Sequence, residues 1–75
     1  MVKFKLISVV DGFYHYEIYP EGDIEDVGVI IFNPDTEEVK LKVFPKAGSN
    51  YLYKAISGFN DKDGKYKESG MVAWY

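Results

Sequence analysis

The 75-residue sequence contains no cysteine, no arginine and no glutamine, and it has one histidine and one threonine. Without cysteine there is neither a disulfide framework nor a thiolate metal site, which favours a reducing compartment. Without arginine the chain lacks the bidentate donor that phosphates and guanine edges select for. Few groups remain that could transfer protons at neutral pH. We therefore expect a protein that is not an enzyme.

Long apolar runs are also missing. No run approaches the roughly 18 residues that a membrane-spanning helix needs, and the first residues alternate lysine with apolar residues, unlike a signal peptide. We expect a cytoplasmic protein with no membrane partner. Hydrophobic and charged fractions of 47% and 28% are those of a folded chain. The length predicts a single small domain over residues 1–75.

What is present is a series of strand signals. Residues 2–10 and 38–44 alternate apolar residues with lysine, whereas residues 13–19 are rich in tyrosine and isoleucine. Such patterns predict strands with one solvated face. Residues 27–32 are apolar except for Gly28, which predicts a central strand covered on both faces, with the glycine allowing another group to approach closely. Short turn-forming segments between the runs predict four antiparallel strands in series.

The first hairpin presents two conflicting signals. A two-residue turn at Asp11 and Gly12 pairs Val10 with Phe13, but it mixes polar and apolar side chains on both faces. A three-residue loop, or a bulge, pairs Val10 with Tyr14 and gathers one apolar face. We predict this second register. It leaves the polar side chains together on the other face, namely Lys3, Lys5, His15 and Glu17.

After Pro45 the periodicity becomes helical. Apolar residues at positions 52, 55, 56 and 59 share one face, a polar residue at 49 or 50 can begin the helix, and Gly58 can end it. Residues 71–75 are uncharged and apolar, and we expect them either to return as a last strand on an edge of their own sheet or to dock on a second copy or another protein. The predicted fold is α+β: a meander of four to five antiparallel strands with one short helix on one face. The alternative is a small SH3-like β-barrel.

The charge is segregated along the chain, although the net charge is only −3. Between Lys5 and Lys40 there are nine acidic residues and no lysine, so this stretch sums to −9. Lysines elsewhere can be explained as solubilising strand faces and protecting edges. The acidic stretch can likewise be explained as solubilising the connections. Its functional interpretation is an acidic surface that attracts a basic partner and loses affinity in salt.

The candidates for catalysis and metal binding are weak. His15 has the only side chain that titrates near neutral pH, but no nucleophile elbow or oxyanion hole accompanies it. Residues 60–64 resemble the middle of a calcium loop, but the first and twelfth ligand positions of that frame hold Phe59 and Gly70. One histidine without cysteine is too little for zinc. We predict no catalytic residue, no metal and no cofactor.

By elimination, the sequence is best interpreted as a non-catalytic protein–protein interaction module with an acidic face, such as an inhibitor or accessory factor. Its partner is either another protein or a second copy of the chain. The residues predicted to bind are Glu21, Asp23, Glu25, Asp26, Trp74 and Tyr75. The alternative is a nucleic-acid-binding β-domain that uses exposed rings and lysines. Those lysines are Lys3, Lys5, Lys40, Lys42 and Lys46. The −9 stretch makes nucleic acid the less favoured partner.

Overall fold

The computed structural model describes residues 1–73. Its elements in chain order are β1 (Val2–Val10), β2 (Phe13–Pro20), β3 (Gly28–Asn33), β4 (Glu38–Val43), α1 (Ser49–Ser57) and β5 (Ser69–Val72). The strands form one antiparallel sheet in the order β4-β3-β2-β1-β5. The helix packs on one face of this sheet, which we call the inner face. The fold is α+β, as the sequence predicts.

The sheet is open. β5 pairs with β1, as a barrel would demand, but β4 and β5 are the two opposite edges. The segment after β4 also forms a nine-residue helix instead of a single helical turn. The SH3-like barrel that we considered is therefore wrong for this chain.

The turn of the first hairpin differs from the prediction. Asp11 and Gly12 have φ angles of 52° and 82°, the left-handed pair that a two-residue type I′ turn requires. Val10 accordingly pairs with Phe13. The predicted three-residue loop, which pairs Val10 with Tyr14, is wrong because an Asp-Gly pair already matches the twist of the strands.

A bulge within β1 resolves the conflict that the turn creates. The register shifts between Leu6 and Ser8, so that Leu6 pairs with Tyr16 while Ser8 pairs with His15. An extra residue in one strand restores the alternation of faces. The polar grouping expected from the sequence is present, because Lys3, Lys5, His15 and Glu17 all lie on the outer face.

Aromatic rings dominate the core. The buried side chains are Val2, Phe4, Tyr16, Ile18, Ile30, Leu52, Ala55 and Phe59. Phe59 follows the helix and stacks on Tyr16, with 3.8 Å between ring centroids and 9° between ring planes. Phe4 meets Phe59 edge-on at 5.0 Å. Edge-to-face pairs such as Phe4 with Phe59 add to the stabilisation from burial alone.

Ionisation of Tyr16 makes the free energy of unfolding depend on pH in the alkaline range. Burial, together with nearby Tyr14 and Tyr66, raises the pKa of Tyr16 to about 12. Its hydroxyl donates a hydrogen bond to the Lys67 carbonyl oxygen at 2.6 Å. Because the unfolded chain ionises near pH 10, the free energy of unfolding should fall between pH 10 and 12, at up to about 1.4 kcal/mol per pH unit. Urea unfolding from pH 8 to 11.5 measures this.

The control for this pH effect is Tyr16→Phe, which retains the ring. We expect it to cost about 1 kcal/mol at neutral pH through the lost hydrogen bond and to flatten the decline above pH 10. An equally steep alkaline decline in Tyr16→Phe and in the original protein would contradict the assignment.

The helix begins at Ser49 and is followed by Gly58, whose N–H donates to the Ala55 carbonyl oxygen at 2.9 Å. It packs mainly against β1, β2 and β5. Two of the five strands, β3 and β4, therefore extend beyond the helix.

β3 is covered on one face only, although its sequence predicts cover on both. Ile30 is buried on the inner face, whereas Val29 and Ile31 alternate with it and point to the outer face. The only helix of residues 1–73 lies on the opposite side of the sheet. The close approach expected at Gly28 is confirmed, since a Cβ atom there would lie 2.8 Å from carbons of both Ile18 and Pro45.

Candidate functional site

The outer face of β3 and β4 carries a cluster of aliphatic side chains. Val29 pairs with Val43 and Ile31 pairs with Leu41, so the four form a two-by-two block. We call these four residues the aliphatic patch. On the β2 side the block adjoins Glu17 and His15, which pair with Val29 and Ile31. On the other side lies the free edge of β4.

The aliphatic patch is open to solvent. Leu41 and Val43 are 46% and 43% exposed, and Val29 and Ile31 are half-buried between them and β2. Contiguous exposed apolar surface on a small domain marks a binding site more often than scattered single residues do. Uncharged apolar side chains can supply binding energy by burial, but they offer no acid, base or nucleophile.

The free edge of β4 is protected against strand addition. Lys40 and Lys42 lie on this strand, and its register shifts opposite Ile31 and Phe32, which marks a bulge. Lysine and bulges are two of the devices that prevent edge-to-edge pairing. Binding at this end of the sheet is therefore expected on the face of β4 and not along its edge.

The turn between β2 and β3, residues 21–27, contains four of the residues predicted to bind; we call it the first acidic turn. The Glu21 side chain makes hydrogen bonds within the fold. Its carboxylate accepts from the Met1 amino group at 2.9 Å and from the Tyr51 hydroxyl at 3.0 Å. These hydrogen bonds hold the pKa of the Glu21 carboxyl below its ordinary value.

Asp26 is also engaged. Its two carboxylate oxygens accept hydrogen bonds from the backbone N–H groups of Lys46 and Ala47, at 2.6 and 2.9 Å. This contact ties the first acidic turn to the chain that leads into α1. Asp26 therefore has a structural role, and its replacement would disturb the turn as well as its charge.

Asp23 and Glu25, like Glu21, are exposed acids of the first acidic turn. The Asp23 carboxylate accepts from the Glu25 backbone N–H at 2.9 Å, which leaves both negative charges in place. The turn lies at the end of the sheet where Val29 and Val43 are paired. The contacts of this turn are made by Glu21 to α1 and by Asp26 to the chain that leads into α1.

A second acidic turn lies at the opposite end of β3. It comprises residues 34–38 and contains Asp35, Glu37 and Glu38, which are all exposed. Asn33 fixes its shape, because its side-chain oxygen accepts from the Asp35 backbone N–H at 2.9 Å. The acids of this turn do not share one face of the sheet, because Glu38 pairs with Asn33 of β3 whereas Glu37 lines a groove between β4 and α1.

The lysines of the nucleic-acid alternative do not all lie on one face, and Lys46 lies exposed in the segment before α1. Lys40 lies on the outer face, where its ammonium is 5.3 Å from the Phe13 ring centroid. Lys42 lies on the inner side, 5.6 Å from Phe44 and 5.7 Å from Tyr53. Lys3 and Lys5 are on β1, two strands from β3. A single-strand binder needs a continuous positive groove, and these positions do not supply one.

A second apolar feature is the groove between α1 and β4. It has a volume of about 310 Å³. Its lining includes Phe32, Val39, Tyr53 and Ile56, with Glu37 and Lys42 as its charged members. We call it the α1–β4 groove. Because its two charges are of opposite sign, it carries no overall electrostatic preference for a partner.

The structure also places His15 and tests for metal ligands and membrane spans among the described residues. His15 stands in the outer face between Ser8 and Ile31 in its paired strands. Among residues 1–73 no group of three or more histidine or acidic side chains could hold a metal ion. Nor does a helix in this part of the chain have the length and apolar character needed to cross a bilayer.

Trp74 and Tyr75, which we predicted to bind, lie outside the described residues. The last strand, expected within residues 71–75, is Ser69–Val72 at the sheet edge beside β1. The sequence does not indicate the aliphatic patch as exposed, although the continuous apolar run of β3 is its signal. Comparisons with protein-family models, curated proteins and solved structures found no match to this chain.

Proposed function

We propose that this protein is a non-catalytic protein-binding module that acts as an inhibitor or accessory factor. The observation that carries the proposal is the aliphatic patch. A strand that is apolar on both faces is typical of a strand covered on both faces, and residues 1–73 place a helix over only one of them. A partner protein would supply the missing cover.

The surroundings of the patch support the same proposal. Protein interfaces commonly combine an apolar centre with a polar, charged rim. Here the centre is the aliphatic patch, and its charged neighbours on the outer face include Glu17, Glu38 and Lys40. Turns held by their own hydrogen bonds lose little conformational entropy on binding, and both acidic turns are held in this way.

The test compares two substitutions on one strand. Leu41→Asp places a charge in the aliphatic patch, whereas Val39→Asp places it at a position of similar exposure, 53%, on the inner face. Both sites are exposed, so we expect each variant to keep its circular dichroism spectrum and lose less than about 1 kcal/mol of stability. In a tagged pull-down from the source cells, Leu41→Asp should lose the stoichiometric partner and Val39→Asp should retain it. The same captured proteins with both variants would contradict the proposal.

A further inference from the structure

We propose that the aliphatic patch is covered by a second copy of this chain, with the two outer faces packed against each other about a twofold axis. This inference rests on the proposed function and names the partner, so that the dimer would be the form in which the accessory factor acts. It follows from the order in which side chains lie on the outer face.

The side chains of the outer face lie in rows that cross the strands. The first row consists of residues that pair in succession from β4 to β1, namely Val43, Val29, Glu17 and Lys5. The second row, about 6.6 Å further along β3, consists in the same order of Leu41, Ile31, His15 and Ser8. Each row therefore begins with two aliphatic side chains of the patch and continues with two polar ones.

A twofold axis that runs between the two rows, perpendicular to the strands, exchanges one row for the other. When two sheets pack face to face with antiparallel strands, the first row of one copy then lies over the second row of the other. The two valines of the patch lie over Leu41 and Ile31 of the other copy. The aliphatic patch is thus buried by its own equivalent, as in the twofold interfaces that are commonest among soluble oligomers.

The same exchange brings complementary polar side chains together. Glu17 of each copy lies over His15 of the other, so this contact occurs twice. An imidazole N–H can donate to a carboxylate. The Tyr19 hydroxyl donates to the Glu17 Oε1 atom at 3.0 Å, and the carboxylate can accept further hydrogen bonds. Sheets that pack face to face are about 10 Å apart, a gap that two side chains of this length can bridge.

Like charges do not coincide in this arrangement. The charged side chains on the outer face are Lys3, Lys5, Lys40, Glu17 and Glu38. The exchange places Lys5 over Ser8 of the other copy and Lys40 over the Val43 end of β4. No lysine lies over a lysine and no glutamate over a glutamate. Because like-charge contacts are what most opposes self-association, the outer face is electrostatically compatible with its own copy.

The size of the outer face permits a dimer of moderate affinity. The molecule measures 31 × 26 × 17 Å, and because the fold has two layers, the shortest dimension crosses the sheet and the helix. A face of 31 × 26 Å is about 800 Å², which is roughly what each partner buries in an interface of standard size. Packing over part of this face buries less, so we expect a Kd of about 1–100 µM.

The first experiment is sedimentation equilibrium of the purified full chain at about 5–500 µM, with circular dichroism as the control for folding. The original protein should change with concentration from the 8.6 kDa monomer to a dimer of twice that mass. Leu41→Asp should raise the Kd at least about tenfold, because it places a charge in the centre of the interface. Val39→Asp lies on the inner face and should leave the Kd unchanged.

The second experiment tests the contact between Glu17 and His15. His15→Glu places two acids at each contact and Glu17→Lys places two bases there, so each variant alone should dimerise at least about tenfold more weakly than the original protein. In an equimolar mixture of the two variants, both contacts of a mixed dimer again join an acid and a base. The mixture should therefore dimerise more tightly than either variant alone.

Three results would overturn the proposal: a monomer at the highest concentration, a dimer that persists in Leu41→Asp, or a mixture that associates no more tightly than its components. The last result is what a twofold axis parallel to β3 and β4 would give, because that axis keeps Glu17 and His15 apart.

The outcome is separable from that of the proposed function. If the purified protein is monomeric while Leu41→Asp still loses a cellular partner, the patch binds another protein and only the second copy is excluded. If the protein dimerises through the patch while Leu41→Asp and Val39→Asp capture the same proteins other than the chain itself, the dimer stands and the inhibitor or accessory role fails.

Discussion

Phe59→Ala should lower the free energy of unfolding by about 3–5 kcal/mol. The ring is fully buried, stacks on Tyr16 at 3.8 Å and meets Phe4 at 5.0 Å, so its removal leaves a cavity at the centre of the aromatic core. At about 0.05–0.15 kcal/mol per residue, a loss of this size is comparable to the whole stability of so small a domain. Urea unfolding followed by circular dichroism measures it.

The matched control is Phe44→Ala. Phe44 is also a phenylalanine in contact with other side chains, but it is exposed at the surface beside Tyr53. Its removal should change the free energy of unfolding by at most about 1 kcal/mol. Similar losses in the two variants would mean that Phe59 does not have the central position described for it.

Gly28→Ala should cost about 1–3 kcal/mol, although it adds a single methyl group. The new Cβ would lie 2.8 Å from the Ile18 Cγ1 atom and 2.8 Å from the Pro45 Cδ atom, so it is crowded from two sides. The proline ring is rigid and buried, which leaves relaxation to the strands themselves. Urea unfolding measures the loss, with the neighbouring exposed Val27→Ala as the control, expected to lie within about 1 kcal/mol of the original protein. A neutral Gly28→Ala would show that β3 and the Pro45 segment are not in close contact.

The elements of this fold could be predicted from sequence because their signals are local. Alternation and turn residues locate the four strands of the meander, and the apolar stripe locates the helix, although its N-cap is Gly48 and neither Ser49 nor Asn50 caps it. The register of the first hairpin could not be predicted in the same way. Asp11 and Gly12 determine the turn, while the bulge between Leu6 and Ser8 depends on how β1 packs against the core. Local and tertiary preferences are both satisfied, but at different points along one strand.

The candidate site could be predicted only in part, for a related reason. The charge segregation is visible in the sequence, but the sequence does not reveal which acids are already engaged. Glu21 contacts residues 1 and 51, and Asp26 contacts residues 46 and 47, so their partners lie at least 20 positions away. The apolar character of β3 was interpreted as cover from within the chain. In the fold it becomes the open patch, because α1, the one helix within residues 1–73, packs on the opposite face of the sheet.

The pairing of β5 with β1 has a consequence for how the chain folds. The pairs β1–β2, β2–β3 and β3–β4 join neighbours in sequence, so they can form as successive hairpins with short loops to close. Val2, in contrast, pairs with Val72, and closing so long a loop adds entropy cost before any contact forms. Until residues 69–72 arrive, the β1 edge that they cover remains available to other chains. Pairing of the final strand thus completes the sheet and covers the β1 edge, through which a partly folded chain could otherwise pair with another chain.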